Sequence, residues 1–151
     1  MENNIDFYKQ YHTHPVNKII HFFCIPIIAF CFLNFFSSIN LIINYHNYFN
    51  ILHAPFDILI TLFYCIYYTF FWPSHISSIM IPFYLILCGA AHDFRNNNNW
   101  LKLNTILFIT AWILQFLGHY IEGNRPALMD SLSQAFLTAP AFAILEPVGL
   151  I

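Results

Sequence analysis

The spacing of its apolar runs constrains this chain more than anything else in it. A helix needs about 20 mostly apolar residues to cross a bilayer core, and four stretches come near that length. They cover about residues 19–36 (IIHFFCIPIIAFCFLNFF), about 55–72, about 76–91 (ISSIMIPFYLILCGAA) and about 103–121 (LNTILFITAWILQFLGHYI). Little is left to make a water-facing coat: 59% of the 151 residues are hydrophobic and 8% are charged, where a soluble domain carries about a quarter. The mean hydropathy is +0.61. The expectation is an all-α, polytopic membrane helical bundle with about four transmembrane helices. Pro26 should kink the first span, and Asp57 looks buried near the start of the second. The stretch SSINLIINYHNYFN is expected either to prolong the first span or to lie along the interface. After EGNRPALMD, a shorter apolar segment with Pro140 and Pro147 is expected to pack on the bundle or the interface as a C-terminal interfacial segment.

Composition excludes several functions. A formal net charge of -2 with no basic stripe argues against a nucleic-acid partner, because phosphate binding needs clustered Lys and Arg. The opening MENNIDFYKQYHTHP lacks the positive start, apolar middle and small-residue cleavage site of a secretory signal, so the N-terminus is expected to be retained. Cys24, Cys31, Cys65 and Cys88 form no C-x-x-C pair and read as buried small hydrophobes. No repeat of fixed period and no long linker interrupts the chain, so residues 1–151 are expected to form a single membrane-embedded domain. Neither H-E-x-x-H, nor G-x-S-x-G, nor a Gly-rich phosphate loop occurs, and the repeated H-x-x-H-H motifs of two-iron membrane desaturases are missing too.

The histidines carry the chemistry. If all four spans cross, the N-terminal segment and the end of the fourth span share a face. His12, His14 and His21 then join His119, Glu122 and Arg125, while His46, His53, His92 and Arg95 lie opposite. The positive-inside rule favours a cytoplasmic first face only weakly. Pro15 suits the first turn of a helix, from which Asn17 and His21 share a face. Gln115, His119 and Glu122 follow i, i+4 and i+7 spacing, again one face, with His119 and Glu122 three apart as in metal-binding Glu-x-x-His pairs, in reversed order. Buried polar groups at converging helix ends are costly unless satisfied or functional. Imidazoles with one carboxylate suit iron, zinc or copper, and two or three His plus a carboxylate with open positions suit oxygen-activating non-haem iron. A reading of another class keeps its place beside this one: a non-enzymatic membrane protein that binds haem, or a partner, through its His-rich face.

Two segments then suggest a family. YHTHPVNKIIHFFCIP resembles the pattern H-x-x-P-x-N-x-x-x-H followed by an apolar stretch and Pro. WILQFLGHYIEGNRPAL resembles Q-F-x-G-H followed by an acidic residue and R-P-A, and APAFAILE is similar to the closing segment. Together they resemble the small membrane family of 2-hydroxy fatty acid dioxygenases that acts in phytosphingosine breakdown. The resemblance implies Fe(II), O2, and conversion of a 2-hydroxy long-chain fatty acid to an acid one carbon shorter. Carried over by position, it points to His12, Asn17, His21, Gln115, His119 and Glu122. It favours His12 where helix geometry alone would favour His14, which shares a face with His21 if the helix starts early. On this reading His12, His21 and His119 hold Fe(II), and Glu122 is either a fourth ligand or an acceptor that fixes an imidazole tautomer. Asn17 and Gln115 are candidates to orient substrate, and Arg125 to steer its carboxylate. His14, His92 and Asp93 stay open as ligands. The expected location is a bacterial inner membrane, or the endoplasmic reticulum in a eukaryote.

Overall fold

The computed structural model describes residues 2–43 and 52–151. Helix α1 (Glu2–Gln10) precedes α2 (Pro15–Phe36). Two short strands, β1 (Asn40–Ile43) and β2 (Leu52–Pro55), pair antiparallel with Asn40 opposite Pro55 and Ile43 opposite Leu52. Then follow α3 (Phe56–Phe71), α4 (Ser74–Phe94), α5 (Trp100–Glu122), a 3-10 turn (Ala127–Met129), α6 (Leu132–Leu137) and α7 (Ala139–Leu145). The protein is a membrane helical bundle, since α2, α4 and α5 are each long and apolar enough to span a bilayer. Their surfaces agree, with Phe23, Ile86 and Ile113 all more than half exposed, as side chains that face acyl chains should be.

Three expectations change. The second apolar run yields a helix of 16 residues, about 24 Å at 1.5 Å per residue, which is short of the roughly 30 Å hydrocarbon core. The first span does not continue after Phe36: a turn at Ser37 and Ser38 leads into β1, and residues 44–50 of that stretch lie outside the described residues. His46 lies outside the described residues. The helix of the third apolar run, α4, continues through His92 and Asp93, which the sequence reading placed in a polar loop.

The described residues divide into two compact units, residues 1–29 with 105–151, and residues 30–104. In the first, Ile5 and Tyr8 of α1 are buried, as are Ala139, Pro140, Ala141, Phe142, Ala143 and Leu145 of α7. The C-terminal segment is therefore built into this unit, the packed outcome of the two expected for it. In the second, α3 and α4 form an antiparallel hairpin turned at Trp72–Pro73, where proline pushes the preceding residue into extended backbone. Tyr64 and Tyr84 stack across it at 4.2 Å. Pro26 and Pro82 lie inside α2 and α4, as tolerated in membrane helices.

Candidate metal centre

The centre is assembled in the first unit from three places in the chain. Pro15 opens α2, which leaves residues 11–14 as a turn carrying His12, while His21 projects from the second turn of α2 and His119 from the last turn of α5. Gly123, with φ 77°, ends α5 immediately after Glu122, its N–H bonding the His119 carbonyl at 3.0 Å; left-handed backbone of this kind favours glycine.

The three imidazoles converge. Ring centroids are 4.3 Å apart for His12 and His21, 5.0 Å for His12 and His119, and 4.9 Å for His21 and His119. Each ring offers one nitrogen, and these lie within 4.8 Å of one another. None of the three residues is more than 5% exposed. His12 Nδ1 lies 2.9 Å from the Tyr8 carbonyl and His21 Nδ1 3.0 Å from the Asn17 carbonyl. A carbonyl only accepts, so both rings carry their proton on Nδ1 and keep a lone pair on Nε2. Metal-ligating histidines have this arrangement, because the outer hydrogen bond fixes tautomer and ring orientation. Buried polar atoms are rarely without a partner, yet His12 Nε2 and His119 Nδ1 have none. Lone pairs turned toward one another in an apolar setting are the donor set a cation satisfies. Burial holds His12 below the usual imidazole range, offset in part by the Tyr8 carbonyl and the carboxylates of Glu122 and Glu146. Neutral imidazole is the ligating form.

Glu122 has a different place from its neighbours. Its Oε1 accepts from the Thr13 hydroxyl at 2.7 Å, the His14 N–H at 3.0 Å and the Thr13 N–H, and its Oε2 accepts from Asn17 Nδ2. The carboxylate thus caps the start of α2 from the end of α5, satisfying N–H groups that lack helical partners. The acceptors that fix the His12 and His21 tautomers are backbone carbonyls instead. His14 also belongs to this cap: its Nδ1 accepts from the Val16 N–H at 3.2 Å, which turns it to local capping.

Asn17 and Gln115 are buried next to the centre in sequence, one turn before His21 and His119, and Asn17 Oδ1 and Gln115 Nε2 lack partners. Arg125 is not brought to the cluster; it pairs with Asp130 at 2.9 Å and its side chain is 67% exposed. His92 belongs to the second unit, where it meets Asp57, and Asp93 is exposed.

Sequence reasoning passed over several supports. Tyr8 stacks on His12 with ring planes 7° apart, and Phe142 of α7 closes to 5.5 Å of His12. Lys18 binds Glu146 at 2.6 Å, tying α2 to the residue that closes α7. Gly118 lies against Asn17, so that a Cβ there would overlap the Asn17 amide. The i, i+4 step from Tyr8 to His12 and the glycine inside QFLGH were the signals available for two of these.

The fold and centre together define a class: a polytopic helical membrane protein with a buried three-histidine group able to hold a metal ion. Comparison with known proteins narrows it. Residues 1–150 match the family described as 2-hydroxy-palmitic acid dioxygenase Mpo1-like, and the chain belongs to that family. It is 33% identical over 153 aligned positions to 2-hydroxy-palmitic acid dioxygenase MPO1 of Saccharomyces cerevisiae, across 97% of this chain and 78% of the yeast protein. No solved structure matches.

Proposed function

We propose that the protein is an Fe(II)-dependent dioxygenase that cleaves the C1–C2 bond of 2-hydroxy long-chain fatty acids, acting as one membrane-embedded domain on substrate drawn from the bilayer. The observation that carries this reading is the convergence of His12, His21 and His119, with two Nδ1–H groups tied to carbonyls, in a chain similar to a 2-hydroxy-palmitic acid dioxygenase. These three residues would hold the ion. Bound Fe(II) supplies a Lewis acid for the substrate's carboxylate and 2-hydroxyl and a site at which O2 reacts.

The overall reaction balances without an outside electron donor. One 2-hydroxy acid and one O2 give an acid one carbon shorter, CO2 and water, the four electrons coming from the two carbons of the broken bond. The protein's own side chains would orient and exclude. Gln115 Nε2 and Asn17 Oδ1, both without partners, can donate to the substrate carboxylate and accept from its hydroxyl. Tyr8 and Phe142 wall His12 against water. Arg125, held by Asp130, would steer an arriving carboxylate only after leaving that partner. Glu122 would keep the His12 turn aligned with α5 rather than serve as a ligand. A haem carrier is disfavoured on geometry, since rings with centroids 4.3 Å apart leave no slot for a porphyrin between them.

The test is anaerobic purification in detergent, reconstitution with Fe(II), and mass spectrometry of lipids after adding 2-hydroxypalmitate and O2, with His119→Ala alongside. The expected product is an acid one carbon shorter, lost in the variant. A folded, iron-loaded wild type that converts none of the substrate would overturn the proposal.

A further inference from the structure

The second unit holds a separate group of ligating side chains. Asp57, in the first turn of α3, has no exposed surface at all. Its Oδ2 lies 3.6 Å from His92 Nδ1 and 3.8 Å from Cys88 Sγ, and its Oδ1 is buried without a partner. Cys88 and His92 are four apart on α4, so they project from one helix face. The Thr61 hydroxyl, four residues after Asp57 on α3, is likewise buried without a partner. The group sits at the open end of the α3–α4 hairpin, opposite the Trp72–Pro73 turn.

A carboxylate wholly removed from water is costly, and an ionisable residue in a membrane helix is rare unless it has work. His92 alone answers that cost poorly. It is a neutral partner unless protonated, its side chain is 57% exposed, and it leaves Asp57 Oδ1 unmet. Arg95, one turn further along, donates to the Ser37 carbonyl instead. We propose that Asp57, Cys88 and His92 form a second cation site, which takes one divalent transition-metal ion and pins the start of α3 to the end of α4.

Three arguments support the assignment. Charge closes, because a divalent ion, the Asp57 carboxylate and a Cys88 thiolate sum to zero, the state that suits a low-dielectric surrounding; the thiol proton is released to solvent on binding. Ligand type follows, since sulfur, imidazole and carboxylate together select zinc, iron or cobalt over magnesium and calcium. Access follows as well, because the exposed His92 ring can turn and lead an ion inward. The proposal stands independently of the dioxygenase reading, as the imidazole centre contains no sulfur.

Cobalt(II) reports the difference. Full-length protein in detergent is titrated with Co(II) and read by its thiolate-to-cobalt charge-transfer band in the near ultraviolet, in wild type and in His119→Ala. Both should develop the band, and His119→Ala should keep it while losing metal at the imidazole centre. Cys88→Ser should abolish the band, Asp57→Asn should weaken binding by more than the roughly 10- to 100-fold that loss of an outer partner costs, and Cys65→Ser, altering the other cysteine of the α3–α4 hairpin, should leave it unchanged. Circular dichroism establishes that each variant is folded. If folded wild type gives no charge-transfer band, or if the band survives Cys88→Ser, the site is refuted, and Asp57 and His92 are an ion pair between helices and nothing more.

Discussion

Glu122 separates two roles that the sequence alone leaves open, metal ligand or capping carboxylate, and its two simplest substitutions separate them by experiment. Glu122→Ala removes an acceptor serving four donors: Thr13 N–H, Thr13 Oγ1, His14 N–H and Asn17 Nδ2. Hydrogen bonds to a charged group contribute about 1.5–3 kcal/mol each, but the sum overstates the loss. Thr13 is exposed, so water can replace its two bonds, and His14 is only half-buried. Asn17 is fully buried; its amide keeps the Tyr11 carbonyl at 3.4 Å, but leaving its second N–H unmet costs about 1–3 kcal/mol. With a smaller loss from the two N–H groups, Glu122→Ala should destabilise the fold by about 2–4 kcal/mol. Glu122→Gln keeps one acceptor oxygen over the turn and should cost about 1–2 kcal/mol, the charge-assisted part of the same bonds. Urea or thermal unfolding in detergent measures both, with bound iron and turnover followed in parallel. If Glu122 is a cap, iron content and activity track stability, and Glu122→Gln retains most of each. If Glu122→Gln unfolds like wild type yet loses iron as completely as His21→Ala does, the capping argument is wrong and the carboxylate is a ligand.

Three further outcomes follow from the same geometry. Gly118→Ala should displace the Asn17 side chain and cost about 1–3 kcal/mol as an overpacked contact; unchanged stability and substrate affinity would remove Gly118 from the supports of the centre. His12 is held below its ordinary value near 6.5, chiefly by burial. Its contribution to stability should therefore be complete above about pH 6.5 and lost as pH falls below it, since the unfolded chain takes up the proton first. Unfolding midpoints in detergent between pH 7.5 and 5 check this, and His12→Gln should make the profile less steep. Lys18→Met should weaken the α2–α7 tie by about 1 kcal/mol, a partly exposed pair, and the exchange Lys18→Glu with Glu146→Lys should recover most of that in thermal unfolding.

How far the fold could be read depended on how local its causes are. The runs that became α2, α4 and α5 declare themselves because a spanning helix satisfies its own backbone. The β1–β2 pairing was not legible, since each strand is satisfied only by the other and residues 40–43 look like any apolar tail to a helix. The extension of α4 through His92 and Asp93 escaped for a similar reason: polarity suggested a loop, but the run of breakers starts only at Asn96.

The site divides along the same line. Spacing within one helix showed that Asn17 shares a face with His21, and Gln115 with His119; the parity argument that joined the two helix ends counted four crossings, one more than the three helices long enough to span. Spacing could not choose between His12 and His14, because that choice rests on where α2 begins. Once Pro15 is the first helical residue, His14 stands at the cap, where its nitrogen accepts the Val16 N–H, and His12 falls back far enough to reach the Tyr8 carbonyl. The role of Glu122 was hidden for the same reason, since its partners belong to a turn whose shape follows from that boundary. One proline thus decides which imidazole joins the cluster and which carboxylate braces it. Moving the helix start, as in Pro15→Ala with His14 free to enter a longer α2, should lower iron retention more than Pro26→Ala does. Equal retention in the two variants would show that the centre tolerates either boundary, and with it either histidine.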